Sequence, residues 1–325
     1  MEKLKLGAIA LLLLLLLFFI PLMLLRSPSA ELPKEEIAEV CPIEITVEGL
    51  DKPVALEEYV KGVVAGEMPV GFHQEALKAQ AIAARTYVLK TTNNGKDPIA
   101  RDVSAQVYKT PEDRKKRWGK EFKKNEKKIS VAVAATTGDI LLFGDELITA
   151  MFFSTSNGQT ETAENFSGSN VPYLQSVDSP GEADVAPAYK QQKDIPLQKW
   201  NEVFGGEWDA ETFKSLQLVR NTTGRVKKMT VADFEADGRE IRELLELRST
   251  DFDIAFDVTN AIVQVTTLGY GHGVGMSQYG AEAFAQEGWT AGEIVQHYYT
   301  GTEIKNLMNL DNICLKAPEL ANNSK

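Results

Sequence analysis

Residues 63–87 read VVAGEMPVGFHQEALKAQAIAARTY, and the fold is decided by where that stretch divides. Leading into it, apolar residues at 56, 59, 60, 63 and 64 recur at helical spacing and predict a helix over Leu56–Glu67. Met68-Pro69-Val70-Gly71 ends it, because a proline pushes the residue before it out of the helical region. A second helix is predicted over Glu75–Thr91, with alanine at 76, 79, 81, 83 and 84, a composition that favours helix and lets neighbouring backbones come close. Glu67 stands at the break between the two. A carboxyl group there has little charge nearby to balance it, and such surroundings favour the protonated form that a general acid needs. A solvated helix-end carboxylate is the competing reading. Lys78 and Arg85, seven residues apart, share a face of the second helix. They read either as cations for an anionic ligand or for Glu67, or as side chains snorkelling to solvent.

The composition narrows what such a carboxyl group serves. The chain has 325 residues, is 43% hydrophobic and carries a net charge of −11, so it is long enough for a large core and poorly suited to nucleic acid. Three histidines and two cysteines, Cys41 and Cys314, with no HExxH or CxxC pattern, argue against a metal site. The two cysteines are candidates for a disulfide outside the cytoplasm. Leu6–Leu25 is almost unbroken hydrocarbon, long enough to span a bilayer, and Lys3 and Lys5 before it favour a cytoplasmic N-terminus. Ser27-Pro28-Ser29-Ala30 is a poor cleavage site, so an uncleaved single-span anchor is preferred over a signal peptide. Everything after Arg26 is then extracytoplasmic, where nucleotide cofactors are not supplied. No cofactor is expected.

The expected organisation is a cytoplasmic tip and anchor over 1–26, a polar tether over 27–41, a mixed α/β region over 42–315 and a tail over 316–325. Strands are predicted at Ile43–Val47, Ser130–Thr136, Ile140–Phe143, Leu147–Phe153, Leu216–Arg220, Val226–Val231, Phe252–Val258 and Ala261–Thr267. Helices are predicted at the basic stretch Glu112–Lys128, at Ile195–Gly206 with Trp200 and Phe204 facing a core, at Arg239–Leu247, at Ala281–Gln286, and after the capping box of Thr290 and Glu293. The basic helix reads as a solvated face or as a contact to an anionic polymer or membrane surface. Mixed, non-alternating elements point to α+β, with residues 195–258 a candidate second subdomain.

Two loops stand out. LGYGHGVGMSQYGA carries glycines at 269, 271, 273, 275 and 280, yet no start gives G-x-G-x-x-G, and Tyr279 breaks a G-x-S-x-G elbow at Ser277. Glycines at alternate positions mean close backbone approach or unusual φ, which makes His272 either a site residue or a structural one. FSTSNGQ, Phe153–Gln159, presents hydroxyls and amides that suit sugar hydroxyls and N-acetyl groups, or simply form a turn.

Taken together, EYVKGVVAGEMP (58–69), EALKAQA (75–81), ARTY (84–87), FSTSNG (153–158), PYL (172–174), REIR (239–242) and GHGVGMSQ (271–278) resemble the stage II sporulation protein D family, which includes amidase-enhancer domains. The motifs run in order over most of residues 42–305. The resemblance implies a peptidoglycan lytic transglycosylase acting on glycan strands stripped of stem peptides during engulfment of the forespore. It implies work alongside a cell-wall amidase/endopeptidase and a multispanning membrane partner, in the space between mother cell and forespore. The family's catalytic acid falls on Glu67 and its basic residues on Lys78 and Arg85; Ser154, Ser156, Gln159, Tyr173, His272 and Gln278 are expected to line the saccharide. Some members bind zinc through His and Cys, but the core motifs here hold no cysteine, so no metal is carried over.

Ordinary glycosidases use two carboxyl groups. A lytic transglycosylase needs one, because the C6 hydroxyl of N-acetylmuramic acid is itself the nucleophile. Removal of stem peptides exposes lactyl carboxylates, which Lys78 and Arg85 are expected to read. The competing expectation is a glycan-binding scaffold that activates a partner amidase. A serine or metal hydrolase is disfavoured by the failed elbow and the sparse ligands.

Overall fold

The computed structural model describes residues 43–310. The expected anchor at 6–25, the tether, Cys41, Cys314 and the tail lie outside the described residues. Among the described residues no helix is long and apolar enough to cross a membrane. The described chain is mixed α+β, with helices gathered around one central helix and several small sheets at their margin.

A short antiparallel pair, β1 (Glu44–Ile45) with β2 (Val54–Ala55), leads into helix α1 (Leu56–Glu67). Leu56, Tyr59, Val60, Val63 and Val64 form its buried stripe, and Met68 ends it in an extended conformation, as the following proline requires. Helix α2 (Gln74–Thr91) is the centre of the fold. Its alanines at 76, 79, 81, 83 and 84 are all fully enclosed. Side chains that small let α1 and three later helices press against one helix at once.

The basic stretch is two helices, α3 (Pro111–Trp118) and α4 (Phe122–Ala134), separated by a tight turn at Gly119–Glu121. The strand predicted over Ser130–Thr136 is therefore incorrect. Ile129, Ala132 and Val133 are buried at helical spacing against α2, and SVAVAA imitates strand alternation only because its small residues tolerate either face. Arg114 in α3 is enclosed and bridges Glu58 (2.6 Å) and Glu126 (2.8 Å), which ties α3 and α4 to α1.

Strand β3 (Asp139–Phe143) pairs with β4 (Glu146–Leu147) and, on its other edge, with β13 (Glu303–Asn306) near the end of the described chain. The run predicted as one strand over Leu147–Phe153 is divided between β4 and β5 (Phe152–Phe153). Beyond the short helices α5 (Ala163–Ser167) and α6 (Glu182–Val185), β6 (Lys190–Pro196) and α7 (Leu197–Phe204) open a second hydrophobic core. It is completed by α8 (Ala210–Lys214), the meander β7 (Gln217–Arg220), β8 (Val226–Val231) and β9 (Phe234–Asp237), and helix α9 (Gly238–Leu244). Strands β10 (Phe252–Asp257) and β11 (Ile262–Leu268) join β6 in the order β10-β11-β6. Trp200 is its fully buried centre, ringed by Phe204, Trp208 and Phe213. The chain then returns to the first core as β12 (Met276–Ser277), which pairs in parallel with β5, followed by α10 (Gln278–Gln286) and α11 (Ala291–Tyr298), both packed on α2.

Candidate active site

Glu67 is the last residue of α1 and is half-buried. Two donors hold it: the Val107 backbone N–H gives to Oε1 at 2.7 Å, and Gln278 Nε2 to Oε2 at 3.3 Å. Among the described residues no basic side chain forms an ion pair with it. Arg117 reaches the same helix end but donates to the Ala65 carbonyl at 2.7 Å. Burial pushes the Glu67 carboxyl above the ordinary carboxylate range, although both hydrogen bonds pull the other way. The negative end of the α1 dipole acts in the same sense as burial.

Two glycines make this seat. A Cβ at Gly66 would lie 1.9 Å from the Val107 carbonyl oxygen, and one at Gly62 would lie 2.2 Å from the Tyr108 ring. They are four apart on one helix face, so residues 107–109 lie directly on the α1 backbone, and Lys109 N–H donates to Gly62 O at 3.1 Å. Beside them the Tyr59 and Tyr108 rings stack at 5.2 Å, and Tyr59 donates to Gln106 at 3.1 Å. Burial raises the Tyr59 phenol strongly, with Tyr87 and Glu67 adding to the effect, so it stays a neutral donor. On the other side, Phe72 and Tyr279 meet edge to face at 4.9 Å. Loop 68–73 is pinned by Lys128, which donates to Phe72 O at 2.6 Å, and by Glu282, which accepts from His73 N.

The residues expected from the sequence divide into two sets. Glu67 and Gln278 meet directly. Ser154 lies against the start of α10, where its carbonyl accepts from Tyr279 N–H at 3.0 Å, and its hydroxyl lies 3.1 Å from Thr155 Oγ1. His272 is tied to the same short β5–β12 pair. Its Nδ1 accepts from Val274 N–H at 3.1 Å, which assigns the proton to Nε2 facing the Phe152 carbonyl at 3.1 Å. Desolvation, with Arg242, Arg225 and Arg239 nearby, lowers its pKa to about 4, so it is a neutral, fixed ring.

Arg85 is not available to a ligand. It is fully enclosed and holds Glu57 through Nε (2.8 Å) and Nη2 (2.6 Å), with Nη1 on the Asp139 carbonyl (3.0 Å). An alanine-rich helix has room for its guanidinium inside the fold, where Glu57 in the first turn of α1 neutralises it. Lys78 pairs with Glu75 at 2.7 Å, and Glu75 also accepts from Ala291 N–H at the start of α11. Ser156 is buried and donates to Glu182 at 2.6 Å. Glu182 is itself enclosed, takes Ser179 (2.6 Å) and Ser277 (2.7 Å) as well, and is raised by burial. Gln159 contributes its carbonyl to Arg225 at 3.0 Å, and Tyr173 accepts from Thr149 N–H at 3.1 Å.

Sequence reading missed Val107, Gly62, Gly66 and Glu182. Gly62 and Gly66, two glycines four apart in an otherwise good helix, were the one visible sign. Among the described residues no group of three His, Cys, Asp or Glu side chains is arranged to hold a metal ion.

A family model described as stage II sporulation protein matches residues 49–143, which include α1, α2 and Glu67. The chain is 42% identical to stage II sporulation protein D of Bacillus subtilis (strain 168) over 271 residues, covering 81% of this chain and 78% of that one. It is also 42% identical to the protein of that name from Bacillus amyloliquefaciens over 258 residues, covering 77% and 74%. Similarity to the amidase enhancer of Bacillus subtilis is lower, 27% over 298 residues, covering 75% of this chain and 40% of that protein. By the identity and reach of the first two matches, this chain belongs to the stage II sporulation protein D family.

Proposed function

We propose that the protein is a membrane-anchored lytic transglycosylase that cleaves the MurNAc–GlcNAc bond of peptide-stripped peptidoglycan during engulfment, with Glu67 as its single acid/base. The observation that carries this reading is the setting of Glu67: half-buried at a helix end and held by two neutral donors, with no ion pair among the described residues, so that burial favours its protonated form. In the proposed step the Glu67 carboxylic acid protonates the glycosidic oxygen. The C1–O bond breaks and the GlcNAc hydroxyl leaves. The MurNAc C6 hydroxyl attacks C1 and gives its proton to the Glu67 carboxylate, which restores the acid and forms a 1,6-anhydro end. No water is consumed, so no second carboxyl group is required.

Gln278 suits such a cycle. Its amide donates to Glu67 as a carboxylate and, turned over, accepts from Glu67 as an acid, while Val107 N–H only donates. Glu67→Gln keeps the shape of the seat, so it is expected to melt with the parent and to release no anhydromuramyl product from denuded glycan, read by mass spectrometry. Anhydro product from that variant would reject the assignment.

The likeness to a protein named amidase enhancer supports a second reading, a glycan-binding scaffold that activates an amidase. The purified full chain on denuded glycan separates the two, since a scaffold alone forms no anhydro ends. A cell-wall amidase/endopeptidase and a multispanning membrane protein are the proposed partners, and the intermembrane space the proposed location.

A further inference from the structure

A cavity of about 620 Å3 opens between α5 and the β8–α9 part of the second core, and neither Glu67 nor Gln278 lines it. His272, Arg225 and Arg242 lie in its deeper part, while Glu164, Asp237, Arg239, Glu240 and Glu243 are exposed around it. Arg225 is 4% exposed. Its guanidinium reaches only carbonyl oxygens, Gln159 O at 3.0 Å and Thr223 O at 3.4 Å. Arg242 Nε faces Leu247 O at 3.3 Å, and Arg239 donates to Phe166 O at 2.8 Å with its guanidinium 4.5 Å above the Phe166 ring.

Among the described residues none of these three arginines forms an ion pair, whereas Arg85, Arg101, Arg114 and Arg220 all do. Arg117 and Arg248 form none either, but neither lines this cavity, which gathers three such guanidiniums in one place. Glu161 faces Arg225, but its oxygens are already engaged by Thr162 N–H, Asn165, Asn221 and Thr223 at 2.7–2.9 Å. All three arginines also act on His272, and burial lowers both Arg225 and Arg242; Glu161, Asp251 and Glu182 act on Arg225, and Glu243 on Arg242, only through space, so the guanidiniums at the deep end are left without a carboxylate hydrogen-bonded to them. A buried cation of this kind is completed by an anion from outside.

We propose that this cavity is a second saccharide subsite, taking one carboxylate on an otherwise neutral, hydroxyl-rich ligand. Guanidinium forks suit the planar carboxylate. The carboxylates around the opening repel polyanions and accept from hydroxyl and amide groups. A 3-O-lactyl N-acetyl sugar meets both conditions. The choice of a saccharide rests on the glycan reading above; the choice of a carboxylate rests on the arginines alone.

The test is equilibrium binding by NMR titration of the full chain, with N-acetylmuramic acid, N-acetylglucosamine and inorganic phosphate as probes. N-acetylmuramic acid is expected to bind at least about tenfold more tightly than the other two, and Arg242→Gln to weaken it by about tenfold or more, the loss of one charge-assisted pair. Arg239→Gln, at an exposed position, is the second variant should Arg242→Gln melt early. Because no turnover is read, failure of Glu67 as an acid leaves this result untouched. Equal binding of the two sugars, tighter binding of phosphate, or unaltered binding by both arginine variants would overturn the proposal.

Discussion

Gly66→Ala tests the seat of the acid without touching the acid. The added Cβ would lie 1.9 Å from the Val107 carbonyl oxygen, and ordinary contact begins at 3.4 Å, so the 107–109 segment must retreat from α1 by about 1.5 Å. The Val107 N–H would follow and leave its 2.7 Å bond to Glu67. Overpacking of this kind costs about 1–3 kcal/mol. The lost bond to a neutral carboxyl group costs about 0.5–1.5 kcal/mol more. For a domain of this size the melting temperature is expected to fall by roughly 5–15 °C. The bond that goes is one that lowers the Glu67 pKa, so the carboxyl rises further, and the alkaline limb of anhydro-product release moves to higher pH. Misplacement on this scale costs about a hundredfold in rate. Gly71→Ala is the control, since a Cβ there meets nothing within 4 Å. The reasoning fails if Gly66→Ala keeps the parent's melting temperature and pH profile, or if Gly71→Ala loses as much.

Three further outcomes follow from buried polar groups. Arg85→Met leaves Glu57 without its partner in a largely enclosed site and is expected to destabilise by about 3–5 kcal/mol, with equal loss on intact and denuded glycan; selective loss on denuded glycan would return Arg85 to the ligand. His272, with an ordinary value of 6.5 and a folded value of about 4, binds its proton first in the unfolded chain. Its contribution is whole above pH 6.5 and is lost as pH falls towards 4, by up to about 3 kcal/mol. His272→Gln keeps a donor for the Phe152 carbonyl and is expected to flatten the stability profile over that range; an unchanged slope from urea melts would count against it. The Gln80 amide is fully buried with neither atom hydrogen-bonded, so Gln80→Met is expected to raise stability by about 1–3 kcal/mol, and a fall in melting temperature would show a bound water or other partner there.

The sequence carried the helices around Glu67 well, because the stripe of α1 and the alanines of α2 are local patterns with a helical period. It failed where tertiary partners decide. Lys190–Pro196 reads KQQKDIP, mostly polar, and becomes a strand because β11 offers a full edge to pair with. SVAVAA looks like a strand and is helix because Ile129, Ala132 and Val133 have α2 to lie against. The same limit applies at the site. That Glu67 occupies a helix end was plain, whereas the burial of Arg85 depended on Glu57, 28 residues away on another helix. Gln278 was singled out by its motif, but only the returning chain at β12 shows that it touches Glu67.

That return has a consequence for when the protein becomes competent. The two donors to Glu67 come from 40 and 211 residues further along the chain. A nascent polypeptide that has delivered α1 and α2 therefore holds the acid in water, at an ordinary pKa, with nothing to orient it. Only after α10 has docked does the carboxyl group have both donors that orient it, as the proposed acid requires. On the proposed mechanism, proteolytic nicking between α4 and β12 that releases the C-terminal helices would take Gln278 from Glu67 and switch the site off, so that continuity from α1 to α10, rather than integrity of one lobe, would set its working lifetime.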